Sequence, residues 1–206
     1  MGVVTVSRQY GAGGLRVAPA VADALGFRFV DRELVDLAAN RLGVDPEVAN
    51  SRDERVPAVL EELGRALAAA TPEFGVAPQP ELDDRAMAAA VREVVLSLAE
   101  AGGYVILGRG AQAILAERDD ACSIWLVGDK ADRVRRVMAS QEVDEREATA
   151  RCDRADGERA GYVRRFHGAD IAEPTLYDCV INTSRLGIER AVELATLTAR
   201  RKLGLT

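Results

Sequence analysis

Glycines and arginines that follow strand-like runs are the residues of this sequence best suited to chemistry. Residues 7–16 read S-R-Q-Y-G-A-G-G-L-R, between a β-branched run at residues 3–6 and a segment with helical periodicity. A glycine-rich turn between strand and helix lets backbone N–H groups converge on an anion, which the helix dipole also attracts. We therefore predict a phosphate-binding loop; a tight turn that holds no ligand is the alternative.

This loop departs from the P-loop pattern G-x-x-x-x-G-K-[ST]. With Gly13 as the second glycine, Arg8 stands at the first glycine, Gly14 at the lysine and Leu15 at the hydroxyl position. The lysine of that pattern reaches the β- and γ-phosphates, and the hydroxyl holds Mg²⁺. Arg8 or Arg16 could supply the missing positive charge.

Two shorter motifs follow the next strand-like runs. Asp31 could contact a metal or accept a proton beside a transferred phosphate, or it could simply cap the following helix. Arg109 lies between Gly108 and Gly110, which leave room for a ligand beside it. Since a guanidinium pairs bidentately with phosphate, Arg109 is a candidate phosphate ligand; an ordinary surface arginine in a turn is the alternative.

A charged helical segment carries the last group of candidates. Asp153, Asp156 and Arg159 have the spacing that places side chains near one face of a helix. On spacing alone, a solvated and salt-bridged helix is the simpler interpretation. The same holds for Arg133 and Arg136 in the preceding basic segment.

The elements that must position these residues alternate between apolar strand-like runs and helical segments. The strand-like runs are residues 3–6, 27–30, 104–107, 122–127 and 179–182. Continuous apolar strands separated by helices predict a parallel sheet covered on both faces, a three-layer α/β/α fold. Because ligands bind at the carboxyl ends of the strands in such sheets, we expect the motifs to meet at one edge. Residues 44–70 are predicted to be helical and residues 71–81 to form a loop.

The amino-acid composition limits the classes of protein to which this chain can belong. The 206 residues suffice for one well-buried core, and the net charge of −6 argues against a general nucleic-acid-binding protein. The only histidine, His167, makes a His-rich zinc site improbable, and the three cysteines are expected to be reduced core thiols. No apolar run reaches the length of a membrane span, and the N-terminus lacks a basic-then-apolar signal. We therefore expect a cytoplasmic protein with no membrane partner.

The motifs, taken in order, resemble those of the cytidylate kinase-like family. The strings are S-R-Q-Y-G-x-G-G at 7–14, F-V-D-R-E-L at 29–34, G-R-G at 108–110, F-H-G-A-D at 166–170 and L-Y-D-C-V-I-N-T-S-R at 176–185. The resemblance covers nearly the whole chain. It implies a single domain of the P-loop kinase type with a five-stranded parallel sheet of order 2-3-1-4-5. It also implies a helical acceptor-binding insert at residues 44–101 and a lid at residues 144–170.

The resemblance also implies an activity. The related bacterial cytidylate kinases move a phosphoryl group from ATP to CMP or dCMP with Mg²⁺. The arginine of their G-R-D motif binds the nucleoside monophosphate and corresponds here to Arg109, with Gly110 in place of the aspartate. Their D-x-x-D-x-x-R lid brings positive charge over the phosphates and corresponds to Asp153, Asp156 and Arg159.

This interpretation assigns roles to specific residues. The expected catalytic residues are Arg16, Asp31, Arg109, Arg154 and Arg159. The expected contacts to ATP are Arg8, Gly11, Ala12, Gly13, Gly14, Leu15, Arg16, Arg133 and Arg136. Asp31 is also the candidate ligand for Mg²⁺.

Two other functions stay open on the sequence alone. The missing lysine and hydroxyl favour a nucleotide-binding sensor that kept the fold and lost the chemistry. The same fold could also phosphorylate another small acceptor. The expected partners are nucleotides and not nucleic acid. The helical insert could close a substrate pocket or pair with a second subunit in a homodimer.

Overall fold

A five-stranded parallel sheet forms the centre of the computed structural model, which describes residues 2–31 and 84–206. The strands are β1 (Val3–Arg8), β2 (Arg28–Val30), β3 (Tyr104–Leu107), β4 (Ala121–Val127) and β5 (Cys179–Asn182). Their order across the sheet is β2-β3-β1-β4-β5, and all neighbouring pairs are parallel. Both the parallel sheet and the order 2-3-1-4-5 that the resemblance implied are confirmed.

Helices connect these strands. They are α1 (Gly14–Leu25), α2 (Asp84–Ala101), α3 (Ala111–Ile114), α4 (Lys130–Gln141), α5 (Glu145–His167), α6 (Thr183–Leu186) and α7 (Ile188–Leu203), with a 3₁₀ turn at Pro174–Leu176. The single-turn helices α3 and α6 have no counterpart in the sequence prediction. One turn buries too few side chains to leave a periodic signal.

Alternating strand residues fill two cores on opposite faces of the sheet. In β1, Val4 and Val6 are buried in the core beneath α1 and α7. Val3 points the other way and is buried in the core beneath α2 and α3. Burial on both faces explains why the strands read as continuous apolar runs instead of alternating ones. The architecture is therefore the predicted three-layer α/β/α fold.

The carboxyl ends of the central strands lie side by side. Parallel pairing aligns Val6 of β1 with Leu107 of β3, and Arg8 with Leu126 of β4. The chain leaves each strand at this edge, so the turn after Arg8 and the turn after Leu107 are neighbours. The sheet thus brings the first and third sequence motifs together.

The predicted helical insert falls mostly outside the described residues. The structure does not describe residues 44–83 of the 44–101 segment, nor Arg32. The remainder of that segment forms α2. Within the described residues, no helix is long and apolar enough to cross a bilayer.

All three cysteines are free thiols, but only Cys122 and Cys152 are buried, whereas a core position was expected for Cys179 as well. Cys122 lies fully buried in β4, and burial raises its pKa to about 12, with Asp178 adding to the effect. Burial also raises the pKa of Cys152, whereas Cys179 is only half-buried.

We predict that thiol reagents at pH 8 modify Cys179 well before Cys122. The thiolate is the reactive form, and a pKa near 12 keeps Cys122 protonated at that pH as well as shielded. Peptide mass spectrometry after timed alkylation measures this order, with a urea-unfolded sample in which both react as the control. Equal native rates at Cys122 and Cys179 would contradict the buried placement of Cys122.

Candidate functional site

The loop between β1 and α1 contains backbone N–H groups that could bind an anion. The Ala12 N–H donates to the Gln9 carbonyl at 3.1 Å, and the Arg16 N–H donates to the Gly13 carbonyl at 2.9 Å. The N–H groups of Gly14 and Leu15 belong to the first turn of α1, where no intrahelical acceptor exists. The predicted loop therefore has the donors of an anion site, but the N–H groups of Ala12 and Arg16 are engaged inside it.

Tyr10 is the residue that ties this loop to its surroundings. Its N–H donates to Asp156 Oδ1 at 2.7 Å, and its carbonyl accepts from Arg133 Nη1 at 2.9 Å. Its hydroxyl accepts from Gln141 Nε2 at 2.6 Å. Hydrogen bonds to α4 and to α5 thus hold the loop in place.

Two arginines of α4 support the loop from beneath. Arg133 has a side chain only 7% exposed, and its Nη1 donates to Asp156 Oδ2 at 2.7 Å. Its Nε donates to the Gly128 carbonyl at 3.0 Å. Arg136 donates from Nη2 to the Thr183 carbonyl at 2.9 Å and from Nη1 to the Gly11 carbonyl at 3.3 Å. Both guanidinium groups hold protein carbonyls in the places where the sequence suggested nucleotide contacts.

A cavity of about 520 Å³, named the loop cavity here, opens over this loop. Its walls include Gly13, Gly14, Leu15, Arg16 and Arg136. The Leu15 side chain, which replaces the hydroxyl of the usual pattern, is 71% exposed. Arg16 pairs with Glu189 at 3.3 Å on the rim.

The turn after β3 has an unusual backbone. Gly108, Arg109 and Gly110 have φ values of 85°, 58° and 68°, so the left-handed conformation runs through three consecutive residues. A non-glycine residue there costs about 1 kcal/mol or more, and such strain concentrates at functional sites. The turn places the Arg109 Cζ atom 5.3 Å from the centre of the Tyr162 ring.

A second cavity of about 400 Å³, named the Arg109 cavity, lies beside that turn. Arg109, Glu158 and Tyr162 form part of its wall. The Gln112 side chain also lines this cavity, and only 1% of the residue is exposed to solvent. The Gln112 Nε2 group makes no hydrogen bond within the described residues. The cavity therefore combines positive charge, an aromatic wall and a buried amide donor.

Arg8, Tyr10 and Arg159 line both cavities, which makes them the boundary between the two. Arg159 extends from α5 over the Tyr10 ring, with its Cζ atom 5.4 Å from the ring centre. Its Nη1 atom lies 3.4 Å from Asp156 Oδ1. Two ligands bound side by side would meet at these residues, so the arrangement suits transfer of an anionic group from one cavity to the other.

Comparison with known proteins places the chain in a family. The profile of the cytidylate kinase-like family matches residues 3–185. The chain belongs to the cytidylate kinase-like family. A cytidylate kinase from Ignicoccus hospitalis is 26% identical over 194 residues, which cover 94% of this chain and 96% of that protein. Family membership and fold together support a phosphotransferase of the nucleotide-kinase type.

Solved structures support the fold of this cytidylate kinase-like chain. An uncharacterised protein from Eubacterium ventriosum superposes with a TM-score of 0.71 at 22% identity, covering 97% of this chain and 98% of that one. A gluconokinase from Sinorhizobium meliloti gives a TM-score of 0.53 at 14% identity, with coverages of 98% and 94%. At these identities the likeness concerns the fold alone.

The structure separates two predicted residues of this family member from the cavities. Arg154 is exposed and lines neither cavity; it lines a shallow depression with Glu147 and Arg151, which shares Tyr10 and Glu158 with the Arg109 cavity. Asp31 follows β2 at the edge of the sheet and is not part of either cavity wall. Catalytic roles for both stay predictions.

Several wall residues were missed by the sequence analysis. Tyr10, Gln112, Glu158 and Tyr162 were not among the candidates, although all four line the Arg109 cavity. Tyr162 follows Arg159 by one helical turn, a spacing that could have indicated a shared face. Gln112 lies in the unpredicted helix α3, so no sequence signal pointed to it.

The single histidine packs against the turn that carries Arg109. Burial lowers the pKa of His167, and the positive charge of Arg92 lowers it further. Its ring contacts Tyr162 edge-on at 5.5 Å. His167 therefore helps to shape the wall of the Arg109 cavity from outside it.

Replacement of Asp156 by Asn tests the support of the loop. Asn can still accept from the Tyr10 N–H, but it cannot neutralise the buried Arg133. We expect a loss of about 2–4 kcal/mol in the free energy of unfolding, at the lower end of values for buried pairs because Asp156 is 29% exposed. Urea denaturation followed by circular dichroism measures it.

Asp153→Asn is the matched control on the same helix. Asp153 pairs with Lys130 at 2.6 Å, but the side chains are 63% and 49% exposed. Its loss should cost less than about 1 kcal/mol. Equal effects of the two substitutions would show that the contact of Asp156 with Arg133 does not stabilise the loop.

Proposed function

We propose that this chain transfers the γ-phosphoryl group of ATP to a nucleoside monophosphate, with CMP or dCMP as the first candidates. The observation that carries the proposal is the pair of adjoining cavities whose common boundary consists of Arg8, Tyr10 and Arg159. A nucleoside monophosphate kinase needs two phosphate-bearing ligands held end to end with positive charge between them. The cytidylate kinase of Ignicoccus hospitalis, the relative named above, directs attention to cytidine nucleotides.

The loop cavity suits the donor nucleotide. Its volume of about 520 Å³ falls within the range for small-molecule sites. The N–H groups of Gly14 and Leu15 and the positive end of α1 would hold the phosphates. Arg16 at the rim would add charge, while Arg133 and Arg136 keep the loop in shape and so act as positioning residues.

The Arg109 cavity suits the acceptor. The Arg109 guanidinium can bind an acceptor phosphate bidentately, and Tyr162 already holds that guanidinium in place by a cation–π contact. Gln112 lies near Tyr177, but its amide donor makes no hydrogen bond of normal geometry within the described residues. A nucleobase presents acceptors that such a donor can bind, which makes Gln112 a candidate for base recognition.

The chemical step requires alignment and charge neutralisation more than covalent participation. An oxygen of the acceptor phosphate forms a bond to the γ-phosphorus while the bond to the β–γ bridging oxygen breaks, and ADP leaves with the electron pair. Arg159 would stabilise the charge on the transferred group from α5. Because α5 is fixed to the loop through Asp156, it would also exclude water from that group.

Mg²⁺ would enter this scheme chiefly with the donor phosphates, because no carboxylate among the described residues lines the loop cavity. The described residues contain no cluster of three or more acidic, His or Cys side chains arranged to hold a metal. Mg²⁺ nevertheless often binds through one or two carboxylates, substrate phosphates and retained waters. Asp31, the carboxylate that the sequence suggested, lines neither cavity, so the donor phosphates and water would hold most of the ion's coordination sphere and the ion would neutralise phosphate charge.

Incubation of the pure protein with Mg-ATP and a panel of nucleoside monophosphates tests the proposal. We expect ADP formation with CMP or dCMP and little with other acceptors. ATP binding by calorimetry without ADP formation would replace the proposal with a nucleotide sensor. Turnover only with another class of small acceptor would show that the donor side is right and the acceptor assignment wrong.

Arg109→Ala should lower kcat/KM for the monophosphate by about 10²–10³, since it removes a charge that contacts the acceptor phosphate. The KM for ATP should change little, because Arg109 is not part of the loop cavity wall. Steady-state kinetics with each substrate varied in turn measures both effects.

Arg118→Ala is the control for the loss of one arginine. Arg118 pairs with Asp120 at 2.8 Å, at the amino end of β4 and thus at the opposite edge of the sheet. It should leave both kinetic constants unchanged. Near-normal kinetics of Arg109→Ala would remove Arg109 from the acceptor site.

A further inference from the structure

We infer that Arg8 takes over the charge of the absent loop lysine, and that position 14 is glycine because the Arg8 side chain occupies the space beside it. The inference rests on the proposed donor site. It assigns one of several nearby arginines to the transferred phosphate and couples it to a specific glycine.

The first support is the path of the Arg8 side chain past the loop. Arg8 ends β1, and its side chain runs alongside the start of α1. A Cβ atom placed on Gly14 would lie 2.9 Å from Arg8 Cγ and 3.3 Å from Cδ. Real Cβ atoms do not approach so closely, and Cγ is too near the backbone to move away cheaply. Any side chain at position 14 would therefore displace Arg8.

The second support is where the guanidinium ends. A Cβ atom on Gly108 would overlap Arg8 Nη1 and lie 3.3 Å from Cζ. The head group thus rests against the turn after β3, one residue from Arg109. Glycines at both ends of its path, Gly14 and Gly108, leave the space that this long side chain fills.

The third support comes from comparison with the other arginines near the loop. Arg16 is 68% exposed and pairs with Glu189 on the rim. Arg136 donates to the carbonyls of Thr183 and Gly11. Arg133 is buried beneath the loop. Arg8 lines both cavities from the sheet side, whereas Arg159 reaches the same boundary from α5.

In this position Arg8 can take the role of the missing lysine, although it approaches the phosphates from a different direction. The usual lysine extends from the first turn of the helix towards the β- and γ-phosphates. Arg8 approaches the same space from the end of β1, and its planar guanidinium can bind two phosphate oxygens at once. During transfer, it would stabilise charge on the γ-phosphoryl oxygens while the bond to the bridging oxygen breaks.

The test combines substitutions at positions 8 and 14. Arg8→Ala should lower kcat by about 10²–10³ and weaken inorganic triphosphate binding, measured by calorimetry, by about tenfold or more. Gly14→Lys with Arg8 intact should also lose activity, since the new side chain displaces the guanidinium. Gly14→Ala should do so more mildly, because it adds the Cβ atom without a competing charge. Thermal denaturation of each variant checks folding.

The double substitution Arg8→Ala with Gly14→Lys decides whether the two positions are coupled. We expect it to be at least about tenfold faster than Arg8→Ala alone, because lysine then enters the vacated space and restores the charge. Losses that simply add would overturn the inference. So would a Gly14→Lys variant that matches or exceeds the unmodified protein, or triphosphate affinity unchanged by Arg8→Ala.

Triphosphate binding separates this inference from the proposed function. If the unmodified protein turns over no monophosphate but binds triphosphate through Arg8, the kinase proposal fails and the inference stands. If monophosphate turnover is normal but independent of Arg8, the inference fails and the kinase proposal stands. Arg118→Ala should bind triphosphate like the unmodified protein.

Discussion

The contact of Asp156 with the Tyr10 amide and the Arg133 guanidinium joins parts of the chain that lie far apart in sequence. One carboxylate accepts from the glycine loop at 2.7 Å and from the basic helix α4 at 2.7 Å, and it belongs to the charged helix α5. Arg133 is nearly buried, so its charge needs this partner. The positions of the loop, of its support and of Arg159 therefore depend on one buried ion pair.

The charge at the candidate site is opposite in sign to the net charge of the chain. The chain carries a net charge of −6, yet arginines from β1 and α5 form the boundary of the two cavities, and Arg109 of the β3 turn lines one of them. Charges of one sign held close together repel one another, which raises the energy of the empty site. Anionic ligands relieve that repulsion, so their binding is favoured at this boundary despite the net negative charge of the chain.

Sequence reasoning reached the sheet and its order, because continuous apolar runs and a matched string of motifs constrain both strongly. It also named Arg109 and Arg159, whose family motifs are local strings and whose side chains line the Arg109 cavity. It assigned Arg133 to the nucleotide, whereas the structure buries this side chain against Gly128 and Tyr10 carbonyls. Contacts such as those of Tyr10 or Gln112 arise only when distant segments pack together, and a pattern read along the chain contains no trace of that packing.

Gly110 and the single histidine, His167, lie so close together that each limits what can replace the other. A Cβ atom on Gly110 would lie 2.6 Å from His167 Nε2, so the imidazole fills the volume in which the aspartate of the related G-R-D motif would begin. Any side chain at position 110 would clash with His167, and a smaller residue in place of His167 would leave a void. The side chain that position 110 can carry is therefore limited by a residue that lies far from it in the sequence.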